Sequence, residues 1–188
     1  MNFIKIAARV AMSIGTCVYV DLDETLIHTV MLNDRASVMV FTNYPGEKLQ
    51  IGKYGVMLRP GAIELLKSLR GLNLGPVYLL THSVSEYANT ISEAFGFDVD
   101  EIFPRESLIG KVGRGENNFV LIDDLDSTHL IFQMKAQAMG IPLIDGTDDV
   151  LKEYFSKWHI QPSGFVGDPS DNGLDGIADM VAIALGVA

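Results

Sequence analysis

Short, continuously apolar runs alternate with segments of helical periodicity along most of this chain. The runs are TCVYV (16–20), PVYLLT (76–81), NFVLID (118–123) and IPLI (141–144). Short apolar runs without polar alternation are typical of strands that are buried on both faces of a parallel sheet. Helical patterns fill the intervals at 60–71, 83–96, 127–140 and 147–158. The alternation predicts an α/β fold built on a doubly wound parallel sheet.

Residues near the helix boundaries support these assignments. Pro60 suits a first helical turn, and Ser83 and Glu86 have the spacing of a capping box. The aromatic residues of the last pattern, Tyr154, Phe155 and Trp158, are typical of a hydrophobic core. We therefore expect these helices to pack against the sheet.

Residues 29–58 interrupt the alternation. Val38–Phe41 and Val56–Leu58 look like strands around NYPGEK (43–48). We expect a small β-hairpin inserted after the first strand. The stretch between Thr81 and Lys111 is too short for a large cap domain, so none is predicted.

Length and composition indicate one soluble domain. The 188 residues, 48% of them hydrophobic, predict a single domain with its core at about 16–160, a helical lead-in at 1–15 and a C-terminal extension of unknown role at 161–188. Charges interrupt the apolar N-terminus, and no run approaches the roughly 18 residues of a membrane span. We expect a cytoplasmic protein, or a nuclear one in a eukaryote. The net charge of −10 argues against binding of long nucleic acid.

Polar residues directly follow three of the apolar runs. They are Asp21 and Asp23 after the first run, Thr81 and Ser83 after the second, and Asp123 and Asp124 after the third. Ligands of an open α/β sheet bind beyond the carboxyl ends of its strands, where these groups would meet. Asp21, Asp123 and Asp124 would raise one another's pKa unless a cation compensates their charge. Oxygen ligands of this kind suit Mg²⁺.

This arrangement fits phosphoryl transfer. Asp21 can attack phosphorus, and Asp23 can supply a proton to the leaving oxygen and then activate water. Thr81 can donate a hydrogen bond to the phosphoryl group, and Lys111 can offset its negative charge. The alternatives for that positive charge are Lys53, Arg105 and Arg114.

Four motifs in order, DLDETL, LLTHS, Lys111 and VLIDD, resemble the pattern of the haloacid dehalogenase superfamily. DLDETLIH, LRPGAIELLKSL and THSVSEYANTISEAFG are similar to the branch that contains the phosphatases of the RNA polymerase II C-terminal domain and the NLI-interacting-factor-like small phosphatases. The resemblance covers residues 17 to about 145.

The resemblance implies a role for each matched residue. Asp21 would be the nucleophile and a metal ligand, and Asp23 the general acid/base whose main-chain carbonyl also binds Mg²⁺. The other implied roles are phosphate binding by Thr81, His82 and Lys111, and metal binding by Asp123 and Asp124. Glu24 occupies a slot where many relatives outside this branch carry glycine.

Several nearby residues have structural interpretations. Arg59 is expected to act at the entrance of a helix, and His28 as a hydrogen-bonded histidine beside the active-site loop. FVGDPSDNG (165–173) is a second candidate for the last motif, but the longer strand before Asp123 favours VLIDD. Asp168 and Asp171 then belong to a turn or to the rim of the site.

The sequence thus favours a Mg²⁺-dependent phosphomonoesterase that forms an aspartyl-phosphate. The branch resemblance implies phosphoserine or phosphothreonine in a protein as substrate, and nucleotides or phosphorylated nucleic-acid ends remain alternatives. A non-catalytic Mg²⁺-binding regulator similar to a receiver domain is a further alternative, although receivers place their acid pair first and the phosphorylated aspartate later. A catalytically dead interaction module is disfavoured because the motif set is complete.

Overall fold

The computed structural model describes residues 16–105, 107–108, 119–137 and 147–187. The predicted lead-in helix at 1–15 and the predicted strand at 141–144 lie outside these residues. Lys111 and Arg114 lie outside them as well.

The described elements alternate between strands and helices. In chain order they are β1 Cys17–Asp21, β2 Ile27–Met31, α1 Arg35–Asn43, β3 Lys48–Ile51, β4 Tyr54–Leu58, α2 Ala62–Gly71, β5 Val77–Thr81, α3 Ser85–Phe95, β6 Glu101–Pro104, β7 Phe119–Ile122, α4 Ser127–Gln137, α5 Thr147–Trp158, β8 His159–Ile160 and α6 Ile177–Ala184.

Within the described residues, five strands form a parallel sheet in the order β6-β5-β1-β7-β8. Asp21 at the end of β1 pairs with Leu80 of β5, and Val20 pairs with Ile122 of β7. The central strands therefore end at one edge of the sheet. This register brings the polar residues that follow the strands together, as the sequence predicts.

Both faces of the sheet are covered, which confirms the doubly wound α/β prediction. Val18 and Val20 pack into one cluster with residues of α2, α3 and α6. Tyr19, between them, packs into a second cluster with residues of α4 and α5. Tyr154 and Phe155 are buried there, which confirms the prediction that they belong to the core.

The insertion after β1 differs from the predicted hairpin. Strands β2, β4 and β3 form a small antiparallel sheet, and the tight turn lies between β3 and β4. Val38–Phe41, predicted as a strand, belongs to α1, where the Asp34 carboxylate accepts hydrogen bonds from the main-chain N–H and the hydroxyl of Ser37 at 2.9 Å. This cap starts a helix in which no residue is fully buried. The apolar run Val38–Phe41 therefore does not mark a buried strand.

Residues beyond 160 contribute to the core. Leu174, Ile177 and Val181 are buried in the same cluster as β1, and Phe165 is buried against Tyr44. The core thus extends past the predicted limit near residue 160.

Within the described ranges, no helix has the length and apolar character needed to cross a membrane.

Candidate active site

Three carboxylates meet at the carboxyl edge of the parallel sheet. One oxygen each of Asp21, Asp123 and Asp124 lies within 4.8 Å of the other two. Asp21 is the last residue of β1, and Asp123 follows β7 directly. Both are buried, whereas Asp124 is partly exposed. The structure therefore brings together three of the predicted metal ligands.

A buried arginine lies against this acidic cluster. Arg105 follows β6, and its Nη2 donates to Oδ1 of Asp21 and lies 3.2 Å from Oδ2 of Asp123. Its Nη1 donates to Oε1 of Gln133 at 2.6 Å. Arg105 was one of the alternative cations in the sequence, and here it is in contact with two of the carboxylates. The favoured cation, Lys111, lies outside the described residues.

Burial dominates the electrostatics of the cluster. It raises the pKa of Asp21 well above its usual value, and repulsion from Asp123 adds to the effect. Burial also raises the pKa of Asp123 to about 7, although Arg105 opposes the shift. The pKa of Asp124 is raised by burial as well. The raised pKa values mean that ionising all three carboxyls is costly in this environment. A bound cation would compensate their charge and reduce that cost.

The donor atoms fit a hard divalent cation. Oδ2 of Asp21 and Oδ2 of Asp123 are buried and accept no hydrogen bond within the described part of the chain. Buried carboxylate oxygens without a donor are costly, and a metal ion would satisfy them. An all-oxygen set with room for water is typical of Mg²⁺ sites.

Asp23 lies two residues after Asp21 but outside the acidic cluster. Its Oδ2 accepts a hydrogen bond from the hydroxyl of Ser83 at 3.0 Å. Burial raises its pKa, so this carboxyl keeps a proton more readily than an exposed aspartate. Asp21 and Asp23 therefore differ in surroundings although they are neighbours in sequence.

The contact with Asp23 corrects the predicted capping box. The N-cap of α3 is Val84, which makes no side-chain cap hydrogen bond. The main-chain N–H of Ser83 instead donates to Oγ1 of Thr81 at 2.9 Å, and its hydroxyl is used by Asp23. A serine just before a helix can cap the helix or bond a more distant side chain. Its spacing from Glu86 therefore did not reveal the contact with Asp23.

A pocket of about 740 Å³ opens beside Asp23. It is lined by Asp23, Thr29, Ile51, Gly52, Lys53, Tyr54, His82, Ser83, Val84 and Tyr87. The Tyr87 hydroxyl lies 2.7 Å from that of Thr29, and burial raises the pKa of Tyr87 to about 12. Of the predicted phosphate-binding residues, His82 thus faces the pocket, while Thr81 is buried at the end of β5.

Thr25 orients Asp124, a role that the sequence did not reveal. The Thr25 hydroxyl donates to Oδ1 of Asp124 and accepts from the main-chain N–H of Asp124, both at 3.1 Å. The side chain of Gln161 donates to the carbonyl of Asp124 at 2.9 Å. Thr25 lies within DLDET, so its place in that motif was the available signal.

Glu24 has a left-handed backbone, with φ at 61°. This agrees with its place in a slot where many relatives carry glycine, and it costs a non-glycine residue about 1–2 kcal/mol. The N–H of Glu24 donates to the carbonyl of Ile27 at 2.8 Å, and the carbonyl of Glu24 accepts from the N–H of Phe165 at 2.6 Å. His28 Nδ1 lies 2.7 Å from Oε2 of Glu24. The expectation of a hydrogen-bonded histidine at position 28 is confirmed.

Asp168 and Asp171 lie outside the acidic cluster. Asp168 closes a turn through the N–H and hydroxyl of Ser170. Asp171 accepts from Nε of the buried Arg59 at 2.7 Å. Asp168 thus lies in a turn, as expected. The ion pair between Asp171 and Arg59 was not predicted, since Arg59 was expected only to act at the entrance of a helix.

Comparison with known proteins gives the family. Residues 16–185 match the model of NLI interacting factor-like phosphatases. The chain belongs to this family. The resemblance seen in the motifs is thereby confirmed, and the family match extends well beyond residue 145.

Two solved structures match this member of the family. One is fission yeast RNA polymerase II CTD phosphatase Fcp1 bound to beryllium fluoride, with 15% identity, a TM-score of 0.47, and 97% of this chain and 66% of that chain covered. The other is Fcp1, described as an essential RNA polymerase II CTD phosphatase, also with 15% identity and a TM-score of 0.47, and with 97% and 65% covered. The chain thus spans just under two thirds of each structure. No curated protein sequence matches it significantly.

Proposed function

We propose that this protein is a Mg²⁺-dependent phosphomonoesterase that acts through an aspartyl-phosphate on Asp21. The observation that carries the proposal is the contrast between two neighbouring carboxyls. Asp21 lies among buried acids, whereas Asp23 keeps a raised pKa beside an open pocket and is held by Ser83. A nucleophile and a proton donor need such different environments.

Asp21, Asp123 and Asp124, with the main-chain carbonyl of Asp23, would hold the metal. Bound there, Mg²⁺ would neutralise the carboxylates and act as a Lewis acid toward the phosphoryl oxygens. The buried Oδ2 atoms of Asp21 and Asp123 support this assignment, because neither accepts a hydrogen bond in the described residues and Oδ2 of Asp123 has only its 3.2 Å ion-pair contact with Arg105.

In the first step, an Asp21 carboxylate oxygen forms a bond to phosphorus while the bond from phosphorus to the leaving oxygen breaks. Asp23 transfers its proton to that oxygen, so the product leaves as an alcohol. The raised pKa of Asp23 supports this role, because the carboxyl must be protonated when substrate binds. The Ser83 hydroxyl orients the carboxyl through Oδ2.

In the second step, Asp23 accepts a proton from a water molecule that attacks phosphorus. The bond between phosphorus and Asp21 breaks, which releases inorganic phosphate and restores the Asp21 carboxylate. Asp23 ends the cycle protonated, as it began. The same carboxyl therefore serves as acid and then as base.

Cationic and hydrogen-bonding groups would bind the phosphoryl oxygens. We assign this role to Thr81, His82 and Lys111, as the motif pattern implies. Arg105 is the described cation nearest to the nucleophile, since it contacts Asp21 directly, and it can share this role.

The proposed substrate is phosphoserine or phosphothreonine in a protein. The pocket beside Asp23 is lined in part by Ile51, Tyr54 and Tyr87, and so offers an apolar surface to residues that flank the phosphorylated one. Peptide substrates gain affinity from such flanking contacts, whereas a nucleotide would bring further negative charge to an acidic protein.

A substrate panel tests the proposal. Phosphoserine and phosphothreonine peptides, nucleotides, and oligonucleotides with 3′- or 5′-phosphates are assayed with Mg²⁺ and with EDTA. We expect phosphate release from the peptides only with Mg²⁺, and a base-labile phosphoenzyme on rapid quenching. Full activity in EDTA would contradict the metal requirement, and a preference for nucleotides or oligonucleotides would contradict the substrate class.

A further inference from the structure

The segment from Gln161 to Asp171 is called here the C-terminal strap. It contacts the acidic cluster and the turn at residues 22–26 between β1 and β2, called here the active-site turn. Its contacts are Gln161 Nε2 to the Asp124 carbonyl at 2.9 Å, Arg59 Nη2 to Ser163 Oγ at 3.2 Å, Phe165 N–H to the Glu24 carbonyl at 2.6 Å and Arg59 Nε to Asp171 Oδ1 at 2.7 Å. From the sequence, this segment was expected to contribute only a turn or the rim of the site.

Arg59 joins this strap to the active-site turn. Its side chain is fully buried, and Nη1 donates to the carbonyl of Thr25 at 3.0 Å while Nε donates to Asp171. The guanidinium also lies over the ring of Phe165, 5.6 Å from its centre. A buried guanidinium must have its donors satisfied, so removing the Asp171 charge should disturb the whole arrangement.

The same turn fixes the orientation of Asp124. The Thr25 hydroxyl bonds Oδ1 of Asp124, and a Cβ built on Gly164 of the strap would lie 3.1 Å from Oδ2. One carboxylate oxygen is therefore held by Thr25, and the other has little space on the side of Gly164. The direction of this carboxylate depends on where the turn and the strap lie.

We propose that Arg59 and Asp171 are positioning residues for the metal site. They hold the strap against the turn so that Thr25 and Gly164 keep the Asp124 carboxylate in its metal-binding orientation. The inference rests on the proposed function, in which Asp124 is a Mg²⁺ ligand. Groups behind a metal ligand commonly set its orientation and thereby its affinity.

The main test compares Asp171→Asn with Asp168→Asn, which removes the same charge from the same strap. Asp168 is exposed, and its carboxylate accepts hydrogen bonds from the N–H and hydroxyl of Ser170, so replacing this side chain should leave Arg59 in place. Mg²⁺ binding is measured by calorimetry on the substrate-free protein. We expect Asp171→Asn to raise the Kd for Mg²⁺ about tenfold, and Asp168→Asn to leave it unchanged.

Two further variants separate positioning from general stability. Gly164→Ala leaves the ion pair intact but crowds Oδ2 of Asp124, so it should also raise the Kd for Mg²⁺. In an Asp124→Asn background, Asp171→Asn should cause little additional loss of Mg²⁺ affinity, because its effect passes through Asp124. A purely structural role would lower the melting temperature but would not produce this dependence.

The outcomes are distinguishable. A wild-type protein that does not bind Mg²⁺ would overturn the proposed function and the inference with it. Wild-type binding together with an unchanged Kd in a folded Asp171→Asn variant would overturn the inference alone, whatever the effect of Gly164→Ala. If Asp171→Asn does not fold, Ser163→Ala, which removes only the hydrogen bond from Arg59 Nη2, decides instead: a raised Kd supports the inference and an unchanged Kd overturns it.

Discussion

The two sides of the turn between Asp21 and Asp23 have opposite character. On one side, Asp21 lies with Asp123 against Arg105 and has no exposed surface. On the other side, Asp23 lies at a pocket lined by Tyr54 and other side chains. The buried side suits charge that must be compensated inside the protein, and the open side suits exchange of protons with substrate and water. A single intervening residue, Leu22, therefore separates two carboxyls that lie in different environments.

The largest effect is expected from Asp21→Asn, which removes the proposed nucleophile from the buried side. Phosphate release should fall below detection with every substrate, and no phosphoenzyme should form. Rapid-quench labelling with a phosphorylated substrate measures both. Residual turnover through a labelled enzyme would show that the buried side does not supply the nucleophile.

Asp23→Asn changes the open side and should have a defect that depends on the leaving group. Loss of general acid catalysis should slow hydrolysis of an alkyl phosphate by about 10²–10⁴-fold. An aryl phosphate with an acidic phenol should be affected far less in its first step, because that phenol leaves without a proton. Steady-state rates on matched alkyl and aryl phosphates measure the difference, and equal defects would contradict the assigned role.

Arg105→Met should destabilise the metal-free protein through the buried side. Removing one partner of a buried ion pair typically costs about 3–5 kcal/mol, and here it leaves Asp21 and Asp123 without their cation. Mg²⁺ should recover part of the loss, since it supplies positive charge at the same carboxylates. Urea unfolding in EDTA and in Mg²⁺ gives the two free energies of unfolding. An equal loss in EDTA and in Mg²⁺ would mean that the metal does not bind the carboxylates that Arg105 contacts.

The pH dependence of stability should also report the buried side. Burial raises the pKa of Asp123 to about 7, so the folded state keeps a proton that the unfolded chain has already released near pH 4. The metal-free free energy of unfolding should therefore decrease as pH rises from about 4 to 7. Urea unfolding at intervals across this range, with EDTA, measures the slope. With Mg²⁺ the slope should flatten, and a slope of the opposite sign would contradict the burial argument.

The smallest effect is expected at the pocket wall. Tyr54→Ala should raise KM for a phosphopeptide about fivefold, equivalent to ~1 kcal/mol of lost contact, and should leave turnover of a small aryl phosphate unchanged. Val38→Ala, on the same insertion but outside the pocket lining, is the control. The β3–β4 turn, Gly52 and Lys53, also lines this pocket. Loss of activity on both substrates would indicate a folding defect instead.

The parallel sheet and its acidic edge could be predicted because strands buried on both faces leave continuous apolar runs, such as Val77–Thr81. Helix α1 could not be predicted, because none of its residues is fully buried and only Phe41 packs against the core, so its apolar residues show no helical periodicity of burial. Arg105 follows a strand whose only large apolar residues are Ile102 and Phe103. The sequence therefore contains no apolar run that would have predicted a strand directly before Arg105. A single sequence likewise gives no signal that Arg59 pairs with a residue more than a hundred positions away.

The long sequence separations within the site have a consequence for the order of folding. Arg105 and Asp21 are 84 residues apart, and Arg59 and Asp171 are 112 apart. Closing such loops is entropically costly, and contacts of this kind tend to form slowly. During synthesis, the strap emerges after every strand of the described sheet has left the ribosome. A nascent chain therefore lacks the contacts of the strap with Arg59 and Asp124 until synthesis has passed residue 171, although its three acids are made earlier.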